Sequence, residues 1–299
     1  MTIIQAIILG IVQGLTEFIP ISSTAHLIFA GRAVGLYAGV NAAMRAEQTT
    51  ATIAVLQLGT LLAVLVYFAG DIWNISRAFL LDHLALISGR QRLMQDESGN
   101  IYGKLSRDAW LGWLIVIGSI PIALVGLLFK KQIEGTFTKN LWVIATMMIV
   151  IGVFLAIAEV VGKQKRSMAE LGIRDAIIVG GAQCLALIPG SSRSGSTIMA
   201  GLFAGEVRET AARFSFLLSI PAIGASGLLE LKEAVHKLPP GSAVPVLVGT
   251  VVSFIVGYAS IWFLLRFLRT HSTGIFIAYR MIIGALILIG LSAGYISAR

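Results

Sequence analysis

A chain of 299 residues with 57% hydrophobic and only 13% charged residues cannot clothe a soluble core, since soluble domains carry roughly a quarter charged residues. Its formal net charge of +8 suits basic loops beside anionic lipid, and nucleic acid is not an expected partner. One cysteine, Cys184, excludes disulfides within the chain and cysteine-rich metal sites.

The first element, residues 3–33, is apolar but interrupted by Pro20, Ser22, Ser23 and Thr24. No cleavable signal is expected, because the opening residues lack a basic stretch. Arms of about 12 to 15 residues on either side of the break are too short to cross roughly 30 Å of hydrocarbon. The block therefore reads as a re-entrant helix pair, tolerated where protein or a water-filled cavity covers its free backbone. Three apolar runs near 51–69, 110–129 and 141–161 can each span. Between the first two, a charged stretch at 71–108 mixes Trp73, Phe79, Leu80 and Leu84 with its charges, which predicts a partly helical, interfacial segment.

The pattern then restarts. Residues 176–185, AIIVGGAQCL, match 6–15, AIILGIVQGL, at six of ten positions. Each copy runs into Ile-Pro, one spacer and two serines: Ile19, Pro20, Ser22 and Ser23, then Ile188, Pro189, Ser191 and Ser192. In that pairing the second copy is one residue shorter before its Ile-Pro. A second re-entrant pair at 174–204 is followed by runs near 211–230, 245–267 and 276–297. The reading is an all-α integral membrane protein, 1–299 one membrane domain, with six transmembrane spans and two re-entrant hairpins. Three spans per half is an odd number, so the halves, 1–165 and 166–299, become inverted repeats whose hairpins meet near the midplane. Twelve basic residues in the loops around 70–108, 162–174, 204–210 and 266–275 place that face in the cytoplasm, against eight on the other.

Chemistry concentrates at the two breaks. Gln13 and Glu17 lie four apart, hence on one helix face. Ser22, Ser23 or Thr24 can cap a new helix, and His26 sits three residues beyond Ser23. The second break, Pro189-Gly-Ser191-Ser192-Arg193-Ser194-Gly-Ser196-Thr197, joins glycines, hydroxyls and an arginine at a helix start, the makings of a phosphate site. Hydroxyls in membrane helices ordinarily bond their own backbone. That reading leaves the convergence of Glu17, His26 and Arg193 on Ser-Ser pairs unexplained. His83, His236 and His271 fall in loops, and Arg280 is a second intramembrane cation with no evident partner.

QGLTEFIPISSTAH (13–26) resembles the glutamate-rich signature of the bacterial undecaprenyl-diphosphate phosphatases of the bacitracin-resistance type. PGSSRSGST (189–197) is similar to that family's second signature, and 56–68 and 213–221 also resemble family sequence. The resemblance implies a multi-pass hydrolase of the bacterial plasma membrane, its site open to the outer face, converting undecaprenyl diphosphate to the monophosphate carrier of cell-wall synthesis. It implies a polyprenyl diphosphate substrate among membrane lipids, with a homodimer as one admissible assembly. It also implies a divalent cation, Mg²⁺ or Ca²⁺, at Glu17 and Gln13, where the first acid of the motif is here the neutral glutamine. Many relatives carry an acid near Thr52, Ile53 and Ala54, and no site is assigned there. On this resemblance Arg193, with Ser191, Ser192, Ser194 and Thr197, holds the diphosphate, and Ser22 and Thr24 add donors. Ser23 is the nucleophile with His26 as its base, or His26 attacks directly; Glu17 ligates the ion or orients His26. The rival is a secondary transporter or lipid flippase built on the same repeat.

Overall fold

The computed structural model describes residues 1–88, 105–129 and 140–298. Arg90, Arg92, Lys104, Lys130, Lys131, Lys139 and Arg299, which enter the count of basic residues between faces, lie outside the described residues, as do Asp96 and Glu97. Among the described residues, five helices are long and apolar enough to cross a membrane: Ala43–Tyr67, Arg107–Leu128, Leu141–Val161, Ala243–Leu268 and Gly274–Ser292. With the family resemblance, this makes a multi-pass membrane protein.

In chain order the helices are α1 (Ile3–Phe18), α2 (Ser23–Ala33), α3 (Ala42–Tyr67), α4 (Ala69–Ile87), α5 (Arg107–Leu128) and α6 (Leu141–Val161). Then come α7 (Ile173–Gln183), a 3₁₀ turn (Cys184–Leu187), α8 (Arg193–Phe203), α9 (Arg208–Lys237), α10 (Ala243–Leu268) and α11 (Gly274–Ser292). Local chemistry sets several boundaries. Thr2 and Gln5 form a reciprocal capping box at the start of α1. Ser106 caps α5 and Asn140 caps α6 through side-chain oxygens. Each break ends on a serine with positive φ, Ser22 at 76° and Ser192 at 66°.

The 71–108 stretch opens as α4, whose Trp73, Leu80, Leu84 and Ile87 are exposed. Asp82 is buried and accepts from the Ser106 N–H at 2.6 Å. His83 is not in a loop. It lies in α4, its Nδ1 bonded to the Phe79 carbonyl at 2.6 Å and its Nε2 accepting from Trp113 Nε1 at 3.1 Å. A histidine four residues after a phenylalanine shares its face, and Trp113 of α5 closes the stack. His236 ends α9 rather than occupying a loop, while His271 lies in the turn before α11 and stacks on Phe267.

Helices cross where glycine removes the side chain. A Cβ on Gly10 of α1 would come within 2.4 Å of the Gly249 carbonyl in α10, and one on Gly180 of α7 within 2.2 Å of the Gly118 carbonyl in α5. Such crossings let backbones touch, which van der Waals packing in lipid rewards. α3 packs between α10 and α9, and α6 lies against α11 and α8.

A polar knot ties the base of the second hairpin. Arg166 donates to both oxygens of Asp175, at 2.5 and 2.7 Å, and to the Ala204 and Glu170 carbonyls. Glu206, in the turn between α8 and α9, is buried beside this pair, and neither of its carboxylate oxygens has a partner. Burial, seconded by Asp175, pushes its carboxyl up from the ordinary 4.5 to about 8. The folded chain thus keeps a proton that the unfolded chain gives up. That contribution to stability is complete below about pH 4.5 and is lost as pH rises through about 8. In detergent, the melting temperature should therefore fall between pH 5 and pH 8, and Glu206→Gln should flatten that decline. An equal slope in the variant would show that Glu206 is ionised in the fold.

Candidate active site

The two breaks stand in one register. Ser22 and Ser192 both stand at the N-cap position with positive φ, so the helices on either side of the break follow the first copy by 170 residues, and only the Ile-Pro turn between them departs from that offset. The sequence pairing of Ser22 with Ser191 is thereby corrected. The physical cause is the 3₁₀ turn at Cys184–Leu187, which rises about 2.0 Å per residue against 1.5 Å in α1. Ile-Pro then arrives one residue early, and Gly190 (φ +92°) absorbs the difference against the Ile144 carbonyl, where a Cβ would sit 2.2 Å away. In this register Arg193 takes the place of Ser23, the first helical residue after each break, and Gln183 takes the place of Gln13.

Glu17, buried in the last turn of α1, is where the two breaks meet. Its Oε2 accepts from Gln13 Nε2 and from Ser23 Oγ, both at 3.1 Å. Its Oε1 accepts from Arg193 Nη2 at 3.2 Å, across 176 residues of sequence. Gln13 Nε2 also reaches Thr60 Oγ1 at 3.3 Å. Two polar atoms of this hub, Gln13 Oε1 and Arg193 Nη1, are buried without partners among the described residues. Buried polar atoms are normally satisfied, and unpaired ones beside an ion pair fit a site that a polar ligand completes.

The serines of the second break are committed elsewhere. Ser191 Oγ donates to the Ile188 carbonyl at 2.7 Å. Ser192 Oγ accepts from the Gly195 N–H at 3.1 Å and lies 3.2 Å from Ser194 Oγ. Ser194 Oγ reaches the Ile19 carbonyl at 3.4 Å, binding one turn to the other. Thr197 is turned into the core, where its hydroxyl meets the Arg193 carbonyl at 2.8 Å and Ser215 Oγ at 2.6 Å. What this break offers an anion is the start of α8, with its free N–H groups and dipole, together with Arg193. Thr24 is exposed at the start of α2.

His26 faces away from Ser23's proton. Its Nδ1 lies 2.7 Å from the Ser22 carbonyl; a carbonyl only accepts, so Nδ1 carries the hydrogen. In the neutral ring Nε2 is then bare and accepts from the Tyr279 hydroxyl at 2.7 Å, with the two rings stacked 5.5 Å apart. The expected hydrogen bond between Ser23 and His26 is not formed, and Ser23 pairs with Glu17. Spacing of three puts both residues on one side of α2, but the preceding turn fixes where the imidazole points. Sequence reasoning missed Tyr279, 253 residues from His26, because nothing local marks a tyrosine in an apolar span. Ala25, His26, Phe29, Tyr279 and Ile283 line a cavity of about 180 Å³ beside this pair.

For a metal ion, two oxygen donors share the α1 face, the Glu17 carboxylate and the unpartnered Gln13 Oε1. No group of three His, Cys, Asp or Glu side chains that could hold an ion exists among the described residues. The donor set fits a hard cation that takes its remaining ligands from a substrate and water.

The sequence profile of the family described as "Bacitracin resistance protein BacA" matches residues 6–286. An undecaprenyl-diphosphatase of Syntrophobacter fumaroxidans is 48% identical over 288 residues, covering 96% of this chain and 97% of the relative. Undecaprenyl-diphosphatases of Mycolicibacterium vanbaalenii and Mycolicibacterium smegmatis are 46% and 43% identical, each covering 100% of both chains.

Proposed function

This chain belongs to the bacitracin resistance protein BacA family, and from that premise and its site we infer that it is an undecaprenyl-diphosphate phosphatase. It hydrolyses undecaprenyl diphosphate to undecaprenyl phosphate and inorganic phosphate, recycling the lipid carrier for cell-wall synthesis. The observation that carries the chemistry is the Glu17 hub, a carboxylate holding a hydroxyl on one oxygen and a guanidinium on the other. The substrate's terminal phosphoryl group takes Arg193 from Glu17 and lies against the start of α8. Glu17 Oε2, freed of half its charge compensation, accepts the proton of Ser23 Oγ as that oxygen attacks the terminal phosphorus. The bridging P–O bond breaks, and undecaprenyl phosphate leaves with the bridging oxygen. Water then opens the phosphoserine, releasing phosphate and returning the proton to Ser23. His26, fixed by Ser22 and Tyr279, borders the cavity on the tail side of the diphosphate and supplies a proton-handling group there.

Glu17 and Gln13 would hold a divalent cation in this reading, and the ion would offset negative charge on the diphosphate. With one carboxylate, the empty enzyme would hold the ion weakly. Gln13→Glu should lower the Mg²⁺ concentration for half-maximal activity, because two carboxylates four apart repel until a cation joins them. An unchanged titration would remove Gln13 from the ion's shell.

The architecture is two inverted repeats with six spans, α9 being the sixth. Support comes from the exchanged crossings: the first helix of each half packs at a glycine on a helix of the other half, Gly10 on Gly249 and Gly180 on Gly118. The membrane is the bacterial plasma membrane, and the site opens to the outer face, as the excess of basic residues on the opposite loops supports.

Phosphate release from a polyprenyl diphosphate by the purified protein in detergent tests the reading directly. A transporter or flippase needs two compartments and releases none, so absence of phosphate would restore that alternative.

A further inference from the structure

Arg280 is fully buried in α11 and, among the described residues, meets no carboxylate within 4 Å. A cation at that depth needs compensation, and here backbone carbonyls provide it. Nε donates to Met148 O of α6 at 3.1 Å, Nη1 to Pro20 O at 3.1 Å, and Nη2 to Gly190 O, Ser191 O and Met147 O at 3.0, 2.9 and 3.4 Å. Three of those five acceptors belong to the two breaks. They are carbonyls that an unbroken helix would have paired, and hydrocarbon offers them no other donor. One planar guanidinium thus satisfies the turn before Ser22 and the turn before Ser192 together.

Both serines hold positive φ, a conformation that persists only where the surroundings over-determine it. Immediately after them come Ser23 and Arg193, the two groups that meet on Glu17. Gly195 makes room for the clamp: a Cβ there would lie 2.9 Å from Arg280 Nη1.

We propose that Arg280 is the positioning residue of the reaction, one guanidinium joining the two turns so that Ser23 and Arg193 address the same phosphoryl group. This rests on the phosphatase reading of the site. Arg280 does not touch substrate, so its loss should act on the rate of the chemical step and not on binding. A lysine cannot replace it, because an ammonium is a point donor and the carbonyls lie in different directions of one plane.

The test compares the parent, Arg280→Lys and Gly195→Ala, purified in detergent, for kcat, KM, melting temperature and affinity for a non-hydrolysable polyprenyl methylenebisphosphonate. Displacing a reacting group by about 1 Å costs on the order of 10²-fold. Arg280→Lys is expected to lose about that in kcat while KM and analogue affinity stay within about threefold, and Gly195→Ala to lose about tenfold in the same pattern. Ser23→Ala should cost less in the Arg280→Lys background than in the parent, since residues acting as one unit are non-additive. Should Arg280→Lys fail to fold, Gly195→Ala carries the test alone. The proposal is overturned if kcat per folded molecule stays within threefold of the parent, or if analogue affinity falls as far as kcat. A parent that releases no phosphate would instead overturn the phosphatase reading.

Discussion

Arg193→Lys should retain less than about one hundredth of the parent's rate of phosphate release. Arg193 holds Glu17 through Nη2 and leaves Nη1 buried without a partner, so once the phosphoryl group draws it from Glu17 both donors of the fork face phosphate oxygens. A lysine supplies a charge but not two parallel donors. Losing one such desolvated contact costs about 3–4 kcal/mol, which is roughly 10² to 10³ in rate. Arg193→Ala should do at least as badly, because it also strips Glu17 of its one cationic partner and leaves a buried carboxylate. Steady-state kinetics on a polyprenyl diphosphate measures this. A lysine variant keeping a third of the activity would mean that charge alone is needed and would remove the clamp.

Ser23→Ala and Glu17→Gln should each lower kcat by on the order of 10³ or more, and the double variant should be little worse than either. The reason is the 3.1 Å contact between Ser23 Oγ and Glu17 Oε2: a nucleophile and its base fail together. His26→Ala should be milder, about tenfold to a hundredfold, because His26 bonds to Ser22 and Tyr279 and not to Ser23. Rapid-quench experiments with labelled substrate decide the nucleophile. An acid-stable phosphoserine at Ser23 is expected; an acid-labile phosphohistidine would transfer the attack to His26.

How much of this was legible in the chain differs from residue to residue. Gln13 and Glu17 share a face because the helix period puts them there, and they do bond. The two interruptions were legible because proline removes a donor; serine capping holds at the second alone, where Ser192 accepts from the Gly195 N–H, while Ser22 makes no side-chain cap bond. Five of the six runs read as spans recur among the helices apolar enough to cross, since about 20 apolar residues leave a chain few other places to go. The register of the second break was not legible. Ile-Pro repeats the first copy by eye, but a 3₁₀ turn stretches the chain and moves the cap by one residue, a difference in rise that letters do not carry.

Composition and periodicity by themselves determined that this is a helical membrane protein with polar chemistry at two matched breaks. They did so because hydrocarbon punishes every unpaired backbone group and every idle charge, so exceptions are visible in sequence. Partnership was decided only by the tertiary structure. Glu17 with Arg193, His26 with Tyr279, and Arg280 with Pro20 and Gly190 join residues 90 to 260 apart. Ser23 was given to Glu17, not to His26, by how a non-helical turn aims two neighbouring side chains. Local spacing constrains which residues share a face of one helix. Which face meets which depends on how glycine-lined helices from the two halves cross, and that is a property of the packed whole.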